Sequence, residues 1–205
     1  MLALKSLHVK RYHTCVFFDI SKTMKEKSLM KILKYEKIKA RFLPWSEVYL
    51  SVAQTLIAFI RTPALDVIHI GSTSAKIGGK GIIDLSVLYE DGDLDLAVGH
   101  LKALGFQDQI SAKPFPPERP RKDGTIFYEG EKYFVHVHVI KKECEEHQKQ
   151  MLYKEYMLAN PHARKAYEQT KQSILANGIT EQEAYGALKS PFVKSILNQT
   201  TLREG

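Results

Sequence analysis

The chain has 205 residues, 44% of them hydrophobic and 26% charged, with no apolar run near the roughly 18 residues a membrane-spanning helix needs. That balance excludes a disordered tail and a helical membrane protein, and the length suits one hydrophobic core with an appendage. A net charge of +7 and a pI near 9.2 favour an anionic partner: a nucleoside triphosphate, another phosphorylated small molecule, or RNA.

Much of the positive charge lies near the start, where Lys22, Lys25, Lys27, Lys31, Lys34, Lys37, Lys39 and Arg41 crowd together. The stretch reads as a solvated helix face, with a nucleic-acid or membrane-surface patch as the alternative. Val16–Ile20 suggests a short strand, and Leu29, Ile32, Leu33 and Ile38 a loose helical stripe. Met1–Lys5, soon followed by Lys10 and Arg11, lacks the pattern of a secretory signal, so a cytoplasmic protein is expected. Cys15 and Cys144 belong to no pairing motif and read as reduced thiols.

From Pro44 the pattern sharpens. Ser46 is placed to cap a helix whose Val48, Val52, Leu56 and Phe59 share one face, running to about Arg61. Leu65–Ile70 reads as a strand that delivers the chain into Gly71-Ser72-Thr73-Ser74, and the glycine-punctuated loop Lys76–Gly81 follows. Ile82–Leu88 is a second strand, closed by Asp91-Gly92. Leu94, Ala97, Val98, Leu101 and Leu104 predict a helix that Gly105 ends.

Residues 111–124, rich in proline and charge, read as a surface loop whose Arg119 and Arg121 could form a lid over an anion. Thr125–Tyr128 and Tyr133–Ile140 predict a hairpin, with His136 and His138 on one face and Val135, Val137 and Val139 on the other. Helices are expected over about 143–159 and from Asn160-Pro161 to about Ala176, then after a capping box at Thr180–Glu183, and finally from Ser190-Pro191.

The chemistry concentrates at the first strand end. Gly71-Ser72 offers backbone amides and a hydroxyl to a phosphate, because glycine permits close approach. Eleven residues intervene before Asp84, a strand carboxylate that could hold a divalent cation against those phosphates. A plain strand-turn is the structural alternative.

The segments His69-Ile70-Gly71-Ser72-Thr73-Ser74 and Gly79-Lys80-Gly81-Ile82-Ile83-Asp84 resemble the signature of the GrpB-like family, as do Leu104-Gly105-Phe106, His136–Val139, Leu152–Pro161 and Tyr185 with Lys189 and Phe192. Pro44-Trp45 resembles the opening of the family's first helix, so the likeness runs over roughly residues 40–198. The resemblance implies an α/β (α+β) protein with a mixed sheet flanked by helices, like the polymerase-β-type nucleotidyltransferases that join a nucleotide to an acceptor through magnesium. It also implies a basic extension at 1–39 and a nucleotidyltransferase-fold domain at 40–200. Asp84 would be catalytic, Gly71, Ser72, Thr73, Lys80 and Lys189 would bind phosphate, and magnesium or manganese would serve as cofactor.

The sequence departs from that pattern at Ser86, where the superfamily places a second carboxylate, and in a loop one residue short near Lys76. Glu90 cannot substitute, being about 20 Å from Asp84 at roughly 3.3 Å per strand residue. Asp84, Ser86, His136 and His138 are the remaining metal-ligand set, conditional on the histidine strand lying beside the Asp84 strand. Two readings stay open: a metal-dependent nucleotidyltransferase or nucleotide-binding relative, and a non-catalytic phosphate-binding module that lacks the second carboxylate. Lys80 and Lys189 are equally compatible with ordinary surface lysines, and the histidines with phosphate donors or satisfied strand residues.

Overall fold

The computed structural model describes residues 31–111 and 113–201. The strand expected at Val16–Ile20 and the start of the lysine-rich stretch fall outside them. Ile32, Leu33 and Ile38 are not helical. Instead, Leu33 bridges Thr125, Leu43 bridges Gly79, and Ile32, Tyr35 and Ala40 are buried. Long-range pairing has overridden a weak local stripe.

Five strands form one mixed sheet: β1 (Asp66–Ile70), β2 (Ile83–Tyr89), β3 (Gln107–Asp108), β4 (Arg121–Tyr128) and β5 (Glu131–Lys141), in the order β1-β2-β5-β4-β3. Among the described residues only β2 and β5 pair in parallel. The chain must cross over between those two, and α3 (Leu94–Ala103) lies in that connection.

Side chains alternate along each strand, which gives the sheet two unlike faces. One carries Leu85, Val87, Val135, Val137 and Val139, all fully buried against Val52, Leu56 and Ile60 of α1 (Val48–Ile60) and Ala97 and Leu101 of α3. The short helix α2 (Gly71–Ser74) turns the chain out of β1. Beyond the other face stand α4 (Glu145–Ala159), α5 (Pro161–Ala176) and α6 (Gln182–Thr201), packed around Met157, Tyr167 and Ile196. The architecture is the expected α+β arrangement of a mixed sheet flanked by helices.

Four local expectations are corrected. Residues 121–124 are strand, because β4 pairs with β5 on one side and β3 on the other, burying Lys122 and Asp123 despite their loop-like composition. The last helix does not begin at Ser190-Pro191: α6 runs through Pro191, its surroundings holding a helix across one missing N–H. Ser46 makes no cap at α1. At the start of α6, Glu181 takes the role read for Thr180, its carboxylate accepting from the N–H groups of Glu183 and Ala184 at 2.7 and 3.1 Å.

Candidate functional site

The sheet register gathers polar residues onto the face opposite the aliphatic core. Asp84 lies opposite His136 and His136 opposite Asp123, while in the next row Ser86 lies opposite His138 and His138 opposite Arg121. The condition set by the sequence is met, since the histidine strand is the parallel neighbour of the Asp84 strand.

Each member of this block has a partner. The Asp84 Oδ1 lies 3.4 Å from His136 Nδ1, and the far ring nitrogen of His136 is 3.0 Å from the Tyr35 hydroxyl. A carboxylate only accepts, so the neutral tautomer that satisfies both contacts donates Nδ1–H to Asp84 and accepts from Tyr35 at Nε2. Arg121 donates twice to Asp123, at 2.8 and 2.9 Å. Phe115 packs edge-on to His138 at 5.0 Å. Ser86 is fully buried and donates to Gln150 Oε1 of α4 at 2.7 Å.

Gly71 has a specific reason to be glycine. Its φ of +72° is left-handed, and an added Cβ would lie 2.6 Å from Asp84 Oδ2. The turn and the carboxylate are therefore in direct contact. Trp45 Nε1 donates to the Thr73 carbonyl at 2.9 Å, and the Thr73 hydroxyl is itself engaged by His69 and the Ile82 carbonyl. Of the residues read as a phosphate seat, Thr73 thus spends its hydroxyl on holding the turn.

The glycine loop is clamped from two sides. Leu43 and Gly79 exchange backbone hydrogen bonds, while on α5 Glu168 accepts from the Gly78 N–H and Lys171 donates to the Gly78 carbonyl. Lys171 is 2% exposed, with its amine 3.4 Å from Ser72 Oγ and 4.5 Å from the Tyr167 ring centre. A side chain at Gly79 would meet that amine at 2.9 Å.

Ser72, Thr73, Lys80, Asp84, His136, His138 and Lys189 line one cavity of about 340 Å³, together with Lys171 and Arg121. Gly71 instead lines a second cavity of about 520 Å³ between α4 and α6, which shares Ser72, Asp84 and Lys189 with the first. Its other walls include Tyr153, Val193 and Asn198. Lys80 and Lys189 sit over the Tyr185 ring at 5.8 and 5.9 Å. Arg119 pairs with Glu146 at 3.3 Å, and Arg121 belongs to a strand, so neither forms a loop lid.

Electrostatically the first cavity is starved of negative charge. Burial, with Lys189 nearby, lowers Lys171 to about 7 and Lys80 to about 8. Burial alone would raise the Asp84 carboxyl, but the hydrogen bond and charge of His136, with His138 and Lys189, outweigh it and hold Asp84 below the usual carboxylate range. Burial also drives His138 down to about 4 and lowers His136 against the pull of Asp84.

The donors do not make a metal site of the kind the resemblance implied. Among the described residues no group of three or more His, Cys, Asp or Glu side chains is placed to hold a metal ion. Ser86 is committed to Gln150, both His136 nitrogens are engaged, and Asp123 is matched by Arg121. Asp84 is left as a lone carboxylate facing lysines.

Tyr35, Asp123, Gln150 and Lys171 are site residues that the sequence reading missed. Asp123 carried a signal, since Arg121 and Asp123 alternate into the strand beginning at Thr125. Tyr35 and Lys171 carried none, because each reaches the site across about a hundred residues of chain.

A mixed sheet flanked by helices, with a lysine-lined cavity on its polar face beside a Gly-Ser turn, defines an α+β protein. The family model described as GrpB protein matches residues 35–199, and the chain belongs to the GrpB family. It is similar to UPF0157 protein BH1888 of Halalkalibacterium halodurans, 24% identical over 157 residues that cover 76% of this chain and 77% of the relative. Among solved structures it is similar to the GLD-2/RNP-8 complex, at 14% identity and TM-score 0.49 over 82% of this chain. It is also similar to the Cid1 poly(U) polymerase with magnesium and 3'-dATP bound, at 13% identity and TM-score 0.45 over 82% of this chain. The chain spans about half the length of those two, 53% and 52%. No helix among the described residues is long and apolar enough to cross a membrane.

Proposed function

We propose that this GrpB-family protein is a nucleotide-binding enzyme of nucleotidyltransferase type, seating the phosphates of a nucleoside triphosphate or another phosphorylated small molecule in the first cavity. The observation that supports this reading most is the set of Lys80, Lys171 and Lys189 around Ser72, with Asp84 at the junction of two cavities. In this reading Ser72 and the lysines bind phosphoryl oxygens and stabilise the charge that grows on them during transfer. The acceptor approaches through the second cavity, and its attacking hydroxyl donates to Asp84. Its oxygen then bonds to the α-phosphorus, its proton passing to Asp84, as the bond from that phosphorus to the departing pyrophosphate breaks.

The test is calorimetric titration with each nucleoside triphosphate at ~0.15 M salt, where charges beyond roughly 8 Å contribute little. Ser72→Ala and Lys80→Ala should each weaken binding about tenfold, the loss of one charge-assisted contact. Pyrophosphate release should fall by about 10² or more in Asp84→Asn. Unchanged affinity in both binding variants would move the ligand elsewhere.

A further inference from the structure

We propose that the first cavity neutralises its phosphorylated ligand with lysine ammonium groups in place of divalent metal, taking the ligand as a metal-free anion. This rests on the reading of the cavity as a phosphate seat and specifies how that seat works.

Lys37, Lys80, Arg121, Lys171 and Lys189 line the cavity, as do Asp84 and Glu183. Lys37 is matched by Glu183 at 3.2 Å, and Arg121 by Asp123 at 2.8 Å. Of the cavity-lining carboxylates, Lys80, Lys171 and Lys189 then face Asp84 alone, with Glu168 of α5 acting on Lys171 from behind the Gly78 clamp. A bare divalent cation placed beside Asp84 would be repelled by the lysines and would lack the second carboxylate that lets paired acids share a metal. A triphosphate meets the opposite situation, because its charge favours the ammonium form of Lys171 and Lys80, which burial lowers to about 7 and 8, and all three ammonium groups can donate to it.

The lysines are also held in place. Lys171 is fixed by the Gly78 carbonyl, the Tyr167 ring and Ser72 Oγ, and Tyr185 carries Lys80 and Lys189 over its ring. The buried Tyr185 hydroxyl has no hydrogen-bond partner among the described residues. Fixed donors lose little freedom when a ligand arrives, which a mobile surface lysine cannot match.

Asp84 therefore has a role in which its charge opposes ligand binding while serving the attacking group. That separates the two pictures sharply, because a metal-bridging carboxylate is needed for binding and this one is not. Calorimetry of the full chain with tripolyphosphate and with nucleoside triphosphate, in excess EDTA and again in magnesium or manganese, reads the difference directly. In EDTA both probes should bind at least as tightly as with metal. Lys171→Met and Lys189→Gln should each lose roughly tenfold, and Asp84→Asn should bind as well as the wild type or better. Circular dichroism and thermal melts of each variant separate lost folding from lost contacts. Binding that needs metal, or that Asp84→Asn abolishes in a folded protein, would overturn the lysine seat while leaving the nucleotide reading intact. No binding of either probe under any condition would overturn both.

Discussion

The two faces of the sheet are made by the same strands yet hold together by different physics. On the aliphatic face Leu85, Val87, Val135, Val137 and Val139 need only be apolar and of suitable size, because burial rewards area without direction. On the other face Asp84, Ser86, His136, Arg121 and Asp123 each have a particular partner. A polar group buried without its partner is expensive, so this second face tolerates few substitutions and stabilises the fold less than it defines a site.

The sharpest way to break the comparison is to move a charge across it. Val137→Asp puts an unpaired carboxylate at a fully buried position of the aliphatic face, at a cost of several kcal/mol. Loss of the cooperative urea transition is expected, and a normal transition would mean that this face is not the core.

Gly71→Ala comes next, because it combines a left-handed φ with a Cβ pressed onto Asp84. Roughly 2–4 kcal/mol of stability should be lost in chemical denaturation. Ser86→Asp probes the polar face itself. Ser86 lines neither cavity and the new carboxylate would sit against Gln150, which walls the second one, so a loss of roughly 1–3 kcal/mol is expected with no gain in magnesium affinity by calorimetry. A gain would restore Ser86 to the metal reading.

Taken per pH unit, the smallest expected effect is the pH dependence that buried histidines give the fold. His138 titrates at about 4 in the folded chain against an ordinary 6.5, so below 6.5 the unfolded chain takes up a proton that the folded one refuses. Stability should decline as pH falls from 6.5 towards 4, by on the order of 1 kcal/mol per unit. His138→Gln should remove its own share of that slope in urea titrations and leave the share of His69, which burial also lowers to about 4. Asp84 acts in a lower window: its depressed carboxyl stabilises the fold above the unfolded value and loses that contribution only as pH drops further.

How much of this was legible follows from the range of the interactions. The α1 stripe, the two strands around Gly71-Ser72 and Asp84, and the alternation of His136 and His138 with valines are local patterns, and the structure has them. Arg121–Gly124 misled because proline and charge nearby imitate a loop, whereas two neighbouring strands decide its conformation. Pro191 misled for a similar reason, since a breaker signal is weaker than a helix already packed on both sides of it. Lys171 looked like any lysine on a polar helix, and only the clamp on Gly78 gives it a place at Ser72.

The hydrogen bond between Tyr35 and His136 ties the stretch before α1 to the ring that orients Asp84. Displacing Tyr35 frees the His136 Nε2 and allows the imidazole to change tautomer, which would remove the donor facing Asp84. Docking of residues 32–40 on the sheet and the state of the carboxylate are then one thermodynamic system. By reciprocity, a ligand that prefers the oriented carboxylate tightens that docking by the same factor with which the docking favours the ligand.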